Sequence, residues 1–250
     1  FRRVLFRSTT FLRNHAYGNG GAFYADGVVR LRGSDFVDNV ANDQGGAGWI
    51  GSGSHVTIDG SRFRGNWARG SHGGALRLFA TATSIASSSF EQNRAGGAGG
   101  AFDAYLGSMR VFASRFVGNT SQVNGGAFVS WDQQSLRLEH SLLSDNLVEG
   151  ADGGAVLDHN SALPPVIRFN RFVRNRAPVG EGGALHLETR GLPGGSWPSL
   201  RTIVGNTFQA NRAALGDAIQ VYQCGVPAPR SEEHTSELQS LAYLVCRLLL

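Results

Sequence analysis

Lysine is absent. All 23 basic residues of this 250-residue chain are arginine, a bias that points to a GC-rich coding sequence rather than to a function. Cysteine is scarce: Cys224 and Cys246 are the two present, and a single pair builds no disulfide framework. Long apolar runs are missing as well, since the stretch 241–250 falls well short of the roughly 20 residues that a membrane-spanning helix needs. No window keeps an apolar period of 3.6, and glycine fills 35 positions, which together exclude long helices. Several short chemical motifs are lacking too. No Gly-Lys-Ser/Thr follows a glycine pair, so there is no phosphate loop. The calcium-binding nonapeptide of β-rolls does not occur, and His and Cys do not fall at zinc-site spacing. No metal and no cofactor is expected.

What the chain has instead is repetition. Phe-x-x-Asn followed about nine residues later by Gly-Gly-Ala occurs at Phe11/Asn14 with Gly20-Gly21-Ala22, and again at Phe36/Asn39, Phe63/Asn66, Phe90/Asn93 and Phe116/Asn119. Leu143/Asn146, Phe172/Asn175 and Phe208/Asn211 complete eight copies, the last with a degenerate Gly216-Asp217-Ala218. A period of 25 to 29 residues, stretching to 36 before the last copy, is the mark of a stacked solenoid.

Aligned on the Phe, the copies show fixed columns. Five residues earlier stands an aliphatic side chain (Leu31, Ile58, Ile85, Val111, Leu138, Ile167, Ile203), which must face a core. Two residues earlier stands a small polar one (Thr9, Ser34, Ser61, Ser88, Ser114, Ser141, Asn170, Asn206), which marks a bend. After Gly-Gly-Ala the apolar positions alternate with period two, as in Phe102/Ala104 and Leu185/Leu187, so this segment is a strand with one face buried. The expected fold is all-β: a right-handed, single-stranded parallel β-helix of about eight coils, stacked about 4.8 Å apart. The Phe column then becomes an internal aromatic stack, and the Asn column becomes an amide ladder satisfying backbone groups at a corner. Gly-Gly supplies positive φ at the next corner.

Both ends lie outside the repeat. Residues 1–8 (FRRVLFRS) and 230–250 (RSEEHTSELQSLAYLVCRLLL) resemble translated sequencing adapters, which leaves 9–229 as the repeat domain of a fragment whose natural termini are not in the sequence. Within 9–229, 18 Arg stand against 16 acidic residues, so the net charge drops from +4 to about +2. A nucleic-acid partner thereby loses its electrostatic support. Cys224 is then the one native cysteine.

The paired Phe-x-x-Asn and Gly-Gly-Ala motifs resemble the repeats of polymorphic outer-membrane proteins, within the broader pectate-lyase-like superfamily of right-handed β-helices. The resemblance spans nearly all of 9–229. It implies an extracellular or outer-membrane surface passenger region, often adhesive, with polysaccharide or a host cell surface as partner and no membrane span in this fragment. Leu143 and Asp217 depart from the motif, and no translocating barrel is visible. The clustered Asp and Arg signatures of polygalacturonases and pectate lyases are missing, although a polysaccharide lyase or glycoside hydrolase stays open as the alternative.

Candidate site residues come from the outward columns. Four residues after the Ala, Phe79, Tyr105, Trp131 and His159 would form an exposed ladder; two residues after it, Arg77 and Asp103 would pair between coils. Exposed rings flanked by charged groups suit sugar binding, and the plainer alternative is that such rings only brace neighbouring strands. Asp132, Asp158, His159, His186 and Glu188 form a candidate catalytic group, with Glu188 as acid or base. Asp132 and Glu188, two coils apart, approach the upper end of the carboxylate spacing used by glycosidases, about 5 to 9.5 Å. Asp158 is expected inside the coil, so it needs either an irregular strand or a partner. The insertion 191–199 (GLPGGSWPS), with Trp197 at its tip, reads equally as one wall of a cleft beside this group or as a drifted loop near a chain end.

Overall fold

The computed structural model describes residues 3–190 and 202–224, and the insertion 191–199 with Trp197 lies outside that range. Among the described residues every element is a strand, and every pairing between strands is parallel. Three sheets form the walls of one solenoid, two of eight strands and one of fourteen. The eight rungs make about seven full turns between the first and the last.

The register is dictated by the repeat. Phe36 pairs with Phe63, Phe63 with Phe90 and Phe90 with Phe116, so each ring lands on its equivalent one coil away. Their centroids lie 4.7, 4.7 and 5.1 Å apart with interplanar angles of 3 to 7°. Leu143 interrupts the stack, which resumes at Phe172 and Phe208 at 4.9 Å. A second inner column faces it, where Phe102 and Phe128 stack at 4.6 Å. The aliphatic column from Leu31 to Ile167 is fully buried between them.

The asparagine ladder is continuous from Asn14 to Asn211. Each Asn after Asn14 takes two hydrogen bonds on its Oδ1, from the backbone N–H and the Nδ2 of the Asn one coil earlier, as Asn119 does from Asn93 at 3.0 and 2.9 Å. Its own Nδ2 reaches on to the next Asn and back to the preceding Phe carbonyl. The small polar column is a second ladder. Ser88 N–H donates to Ser114 Oγ at 3.3 Å and Ser114 N–H to Ser141 Oγ at 3.1 Å, and Asn170 and Asn206 carry the same line onward.

The glycine pair does two separate jobs. Its first member has positive φ at every coil, 59° at Gly125 for instance. Its second member is a point of close approach: a Cβ on Gly126 would run into the Gly154 carbonyl oxygen and the Leu147 backbone. Residues 3–7 also enter the wall. Arg3–Arg7 pairs in register with Val28–Arg32, and Phe6 packs against the core five residues before Phe11. A short strand of alternating apolar residues can occupy an open sheet edge whatever its origin.

Candidate functional site

The strand after each glycine pair has a wet side that is less wet than alternation implies. The column two residues after the Ala was expected to face solvent, yet Arg77 is 8% exposed, Asp103 and Val129 0%, Leu157 3% and His186 4%. The cover comes from the residue just before a glycine pair, in the same coil for Glu181 over His186 and one coil earlier for His72 over Asp103 and Ala98 over Val129. Ala98 closes on Val129, Leu157 and Trp131 as a small core outside the solenoid. His72, at the same position one coil earlier, places Nδ1 3.1 Å from Asp103 Oδ2.

Arg77 and Asp103 do pair, as their register requires, but as a buried ion pair. The Trp131 indole N–H donates to the other Asp103 oxygen at 3.3 Å, and the Arg77 guanidinium lies 4.4 Å over the Phe79 ring. These two charges therefore organise the wall from within. His72 Nδ1 also lies 3.2 Å from the Ala98 amide, so the ring's tautomer decides whether Nδ1 accepts that N–H or donates to Asp103.

The rings form a strip along the solenoid. Tyr24 and Trp49 stack at 4.3 Å and 10°, Trp49 meets Phe79 at 5.6 Å and 43°, and Phe79 meets Tyr105 at 5.9 Å and 55°. Trp131 and His159 continue it at 4.9 Å and 55°. From Phe79 to His159 the rings are half-buried rather than open. A second ring group, Phe112, His140 and Phe169, lies on a different column, and nothing in the post-glycine strands signals it.

The proposed acid–base residues are each engaged locally. Asp132 accepts a hydrogen bond from Asn160 Nδ2 and one from the Tyr105 phenol, and the adjacent carboxylate charge raises the phenol's pKa above its ordinary value. Asp158 does point inward, is 1% exposed, and accepts from Ser161 Oγ at 2.7 Å, so its partner is supplied by the chain. His159 Nε2 and Glu188 Oε2 meet at 3.2 Å. His186 lies beneath Asp152 and Glu181, and burial lowers its pKa against the opposing pull of the nearby carboxylates. Asp152 and Glu181 were missed, yet they share with His72 the position before the glycine pair. Reading that column would have found them. A shallow groove of about 340 Å³, lined by His55, Thr83, Arg110 and Arg137 among others, includes none of the sequence-derived candidates.

Residues 8–26, the first copy of the repeat, match the family described as Chlamydia polymorphic membrane protein (Chlamydia_PMP) repeat. That stretch holds Phe11, Asn14 and Gly20-Gly21-Ala22, and the same residue types stack in register through the later coils. The chain is a parallel β-helix whose first coil is similar to a polymorphic-membrane-protein repeat. No curated protein and no solved structure matches it. Each coil of this chain thus uses its Phe, Asn and Gly-Gly for stacking, corner closure and coil-to-coil approach. All three are structural, so the chemistry of this solenoid resides in the columns outside the repeat signature.

Proposed function

We propose that this chain is part of a surface-displayed or outer-membrane passenger region that adheres through carbohydrate contact and performs no catalysis. The observation that carries the reading is the ring strip from Tyr24 to His159, which runs along one wall across six coils with its polar neighbours held in place. Rings tilted out of flat stacking offer apolar faces to pyranoses, and the Asp132 and Glu188 carboxylates at the same edge offer acceptors to sugar hydroxyls. Passenger display is supported by the family match to the first repeat and by the stacked coils that the described residues form.

The non-catalytic part rests on how the carboxylates are used. Asp103, Asp132 and Asp158 each hold a neighbouring side chain. The His159–Glu188 contact is the one arrangement that favours the competing reading, a lyase or hydrolase with Glu188 as acid or base. A glycan array combined with a reducing-end release assay on the same polysaccharides separates the two. Binding without release is expected, with Tyr105→Ala and Trp131→Ala each weakening it. Release that disappears in Glu188→Gln would overturn the proposal in favour of the enzyme.

A further inference from the structure

In the middle coils the residue before a glycine pair lies over the outward column of the post-glycine strand in its own coil or the next, and the chemistry of that meeting changes from coil to coil. It is ionic at His72 and Asp103 and apolar at Ala98, Val129 and Leu157. Farther along, two consecutive coils bring Asp152 and Glu181 to this position, and the side chain beneath them is His186, 4% exposed. His186 Nδ1 lies 3.8 Å from Glu181 Oε2. One ligand atom from each of the three residues lies within 4.8 Å of the other two.

The carboxylate of Asp152 is pinned in place. Its Oδ1 accepts the Glu181 backbone N–H at 2.8 Å, and its own N–H donates to Asn124 Oδ1 at 3.2 Å. Burial lowers the His186 pKa against the pull of the neighbouring carboxylates, which favours the uncharged ring, the form with a nitrogen lone pair to offer. The His159–Glu188 contact, 3.2 Å, lies next to it and supplies an outer layer of polar groups.

We propose that Asp152, Glu181 and His186 form a binding site for a divalent first-row transition cation, Zn²⁺ above all, which clasps two neighbouring coils from outside the solenoid. The donor set selects the class. An imidazole with two carboxylates suits Zn²⁺ and its neighbours, whereas Ca²⁺ takes six to eight oxygens and has no use for the ring. Metal–ligand bonds of about 2.0–2.2 Å place the tetrahedral donors of one ion roughly 3.3–3.6 Å apart. The 3.8 Å contact lies just outside that spacing, and small side-chain rotations bring it and the widest pair within reach. Asp152 and Glu181 are half-buried, so water reaches the site and completes the coordination shell. Zinc spacing was invisible in the sequence because the ligands come from consecutive coils, with the two acids 29 positions apart.

The test uses the full chain without a purification tag, titrated with Co²⁺ by visible absorption and with Zn²⁺ by calorimetry. The expected result is one equivalent bound at this site, with a Tm that rises on Zn²⁺ addition. His186→Gln and Glu181→Gln should each weaken binding by at least the roughly 10–100-fold that outer-layer changes alone cost at metal sites. His15→Gln, at the far end of the solenoid, should leave it unchanged. Should His186→Gln fail to fold, Asp152→Asn serves instead, since its amide oxygen still accepts the Glu181 N–H. Absence of saturable binding at millimolar Zn²⁺, or binding that survives Asp152→Asn and Glu181→Gln, would overturn the proposal.

Discussion

Trp131 and Phe79 occupy the same column but present different surfaces. The Arg77 guanidinium covers one face of Phe79 at 4.4 Å, while Trp131 is tied at its indole N–H to Asp103 and keeps a half-exposed ring. If the strip recognises sugar, Trp131→Ala should weaken glycan binding by tenfold or more and Phe79→Ala by clearly less, as read by calorimetry; equal losses would point to bracing of the wall rather than recognition. Tyr105 permits a spectroscopic check of the local electrostatics. Its hydrogen bond to Asp132 raises the phenol pKa, so the protonated form is the favoured one. Its contribution to stability is complete below the unfolded value of about 10 and is lost as pH rises through the higher folded value. Absorbance of the phenolates should show one tyrosine titrating late, and Asp132→Asn should bring its midpoint down.

At the scale of one coil, the corners carry as much of the fold as the strands. Asn119 is fully buried and joins the coils before and after it, so Asn119→Ala strands several buried backbone and amide groups at about 1–3 kcal/mol each. A loss of at least about 3 kcal/mol in urea denaturation is expected. Gly126→Ala should be as damaging for a different reason, since the added methyl meets neighbouring backbone that has no room to yield. The Asn ladder was legible in the sequence because identical side chains repeat where the coils superpose. The serine ladder was read only as a bend, since a small polar residue at a corner satisfies backbone groups either locally or one coil away, and spacing does not distinguish these. The division of labour in Gly-Gly was also hidden, because positive φ and close approach call for the same residue.

Across the whole molecule, period-two alternation assigned the inner faces of the strands correctly and failed on the outer one. Alternation reports which side of a strand points away from the solenoid axis. It does not report whether another part of the chain returns to cover that side. Arg77, Asp103 and His186 are buried because His72, Glu181 and their equivalents lie in a segment with no alternation of its own. The candidate sugar strip was therefore legible as a line of residues, but its depth was not. Stability should follow the stack in the same way. Each coil is held by its neighbours, so a cavity in mid-stack weakens two interfaces and one at the last rung weakens fewer. Phe116 is fully buried, stacked on Phe90 and in edge or tilted contact with Phe102 and Phe128, whereas Phe208 is half-buried and meets the Phe172 ring. Phe116→Ala should cost about 3–5 kcal/mol. Phe208→Ala should cost markedly less in the same urea titration at an unchanged m-value, and equal losses would mean that Phe208 lies under further structure of the same chain.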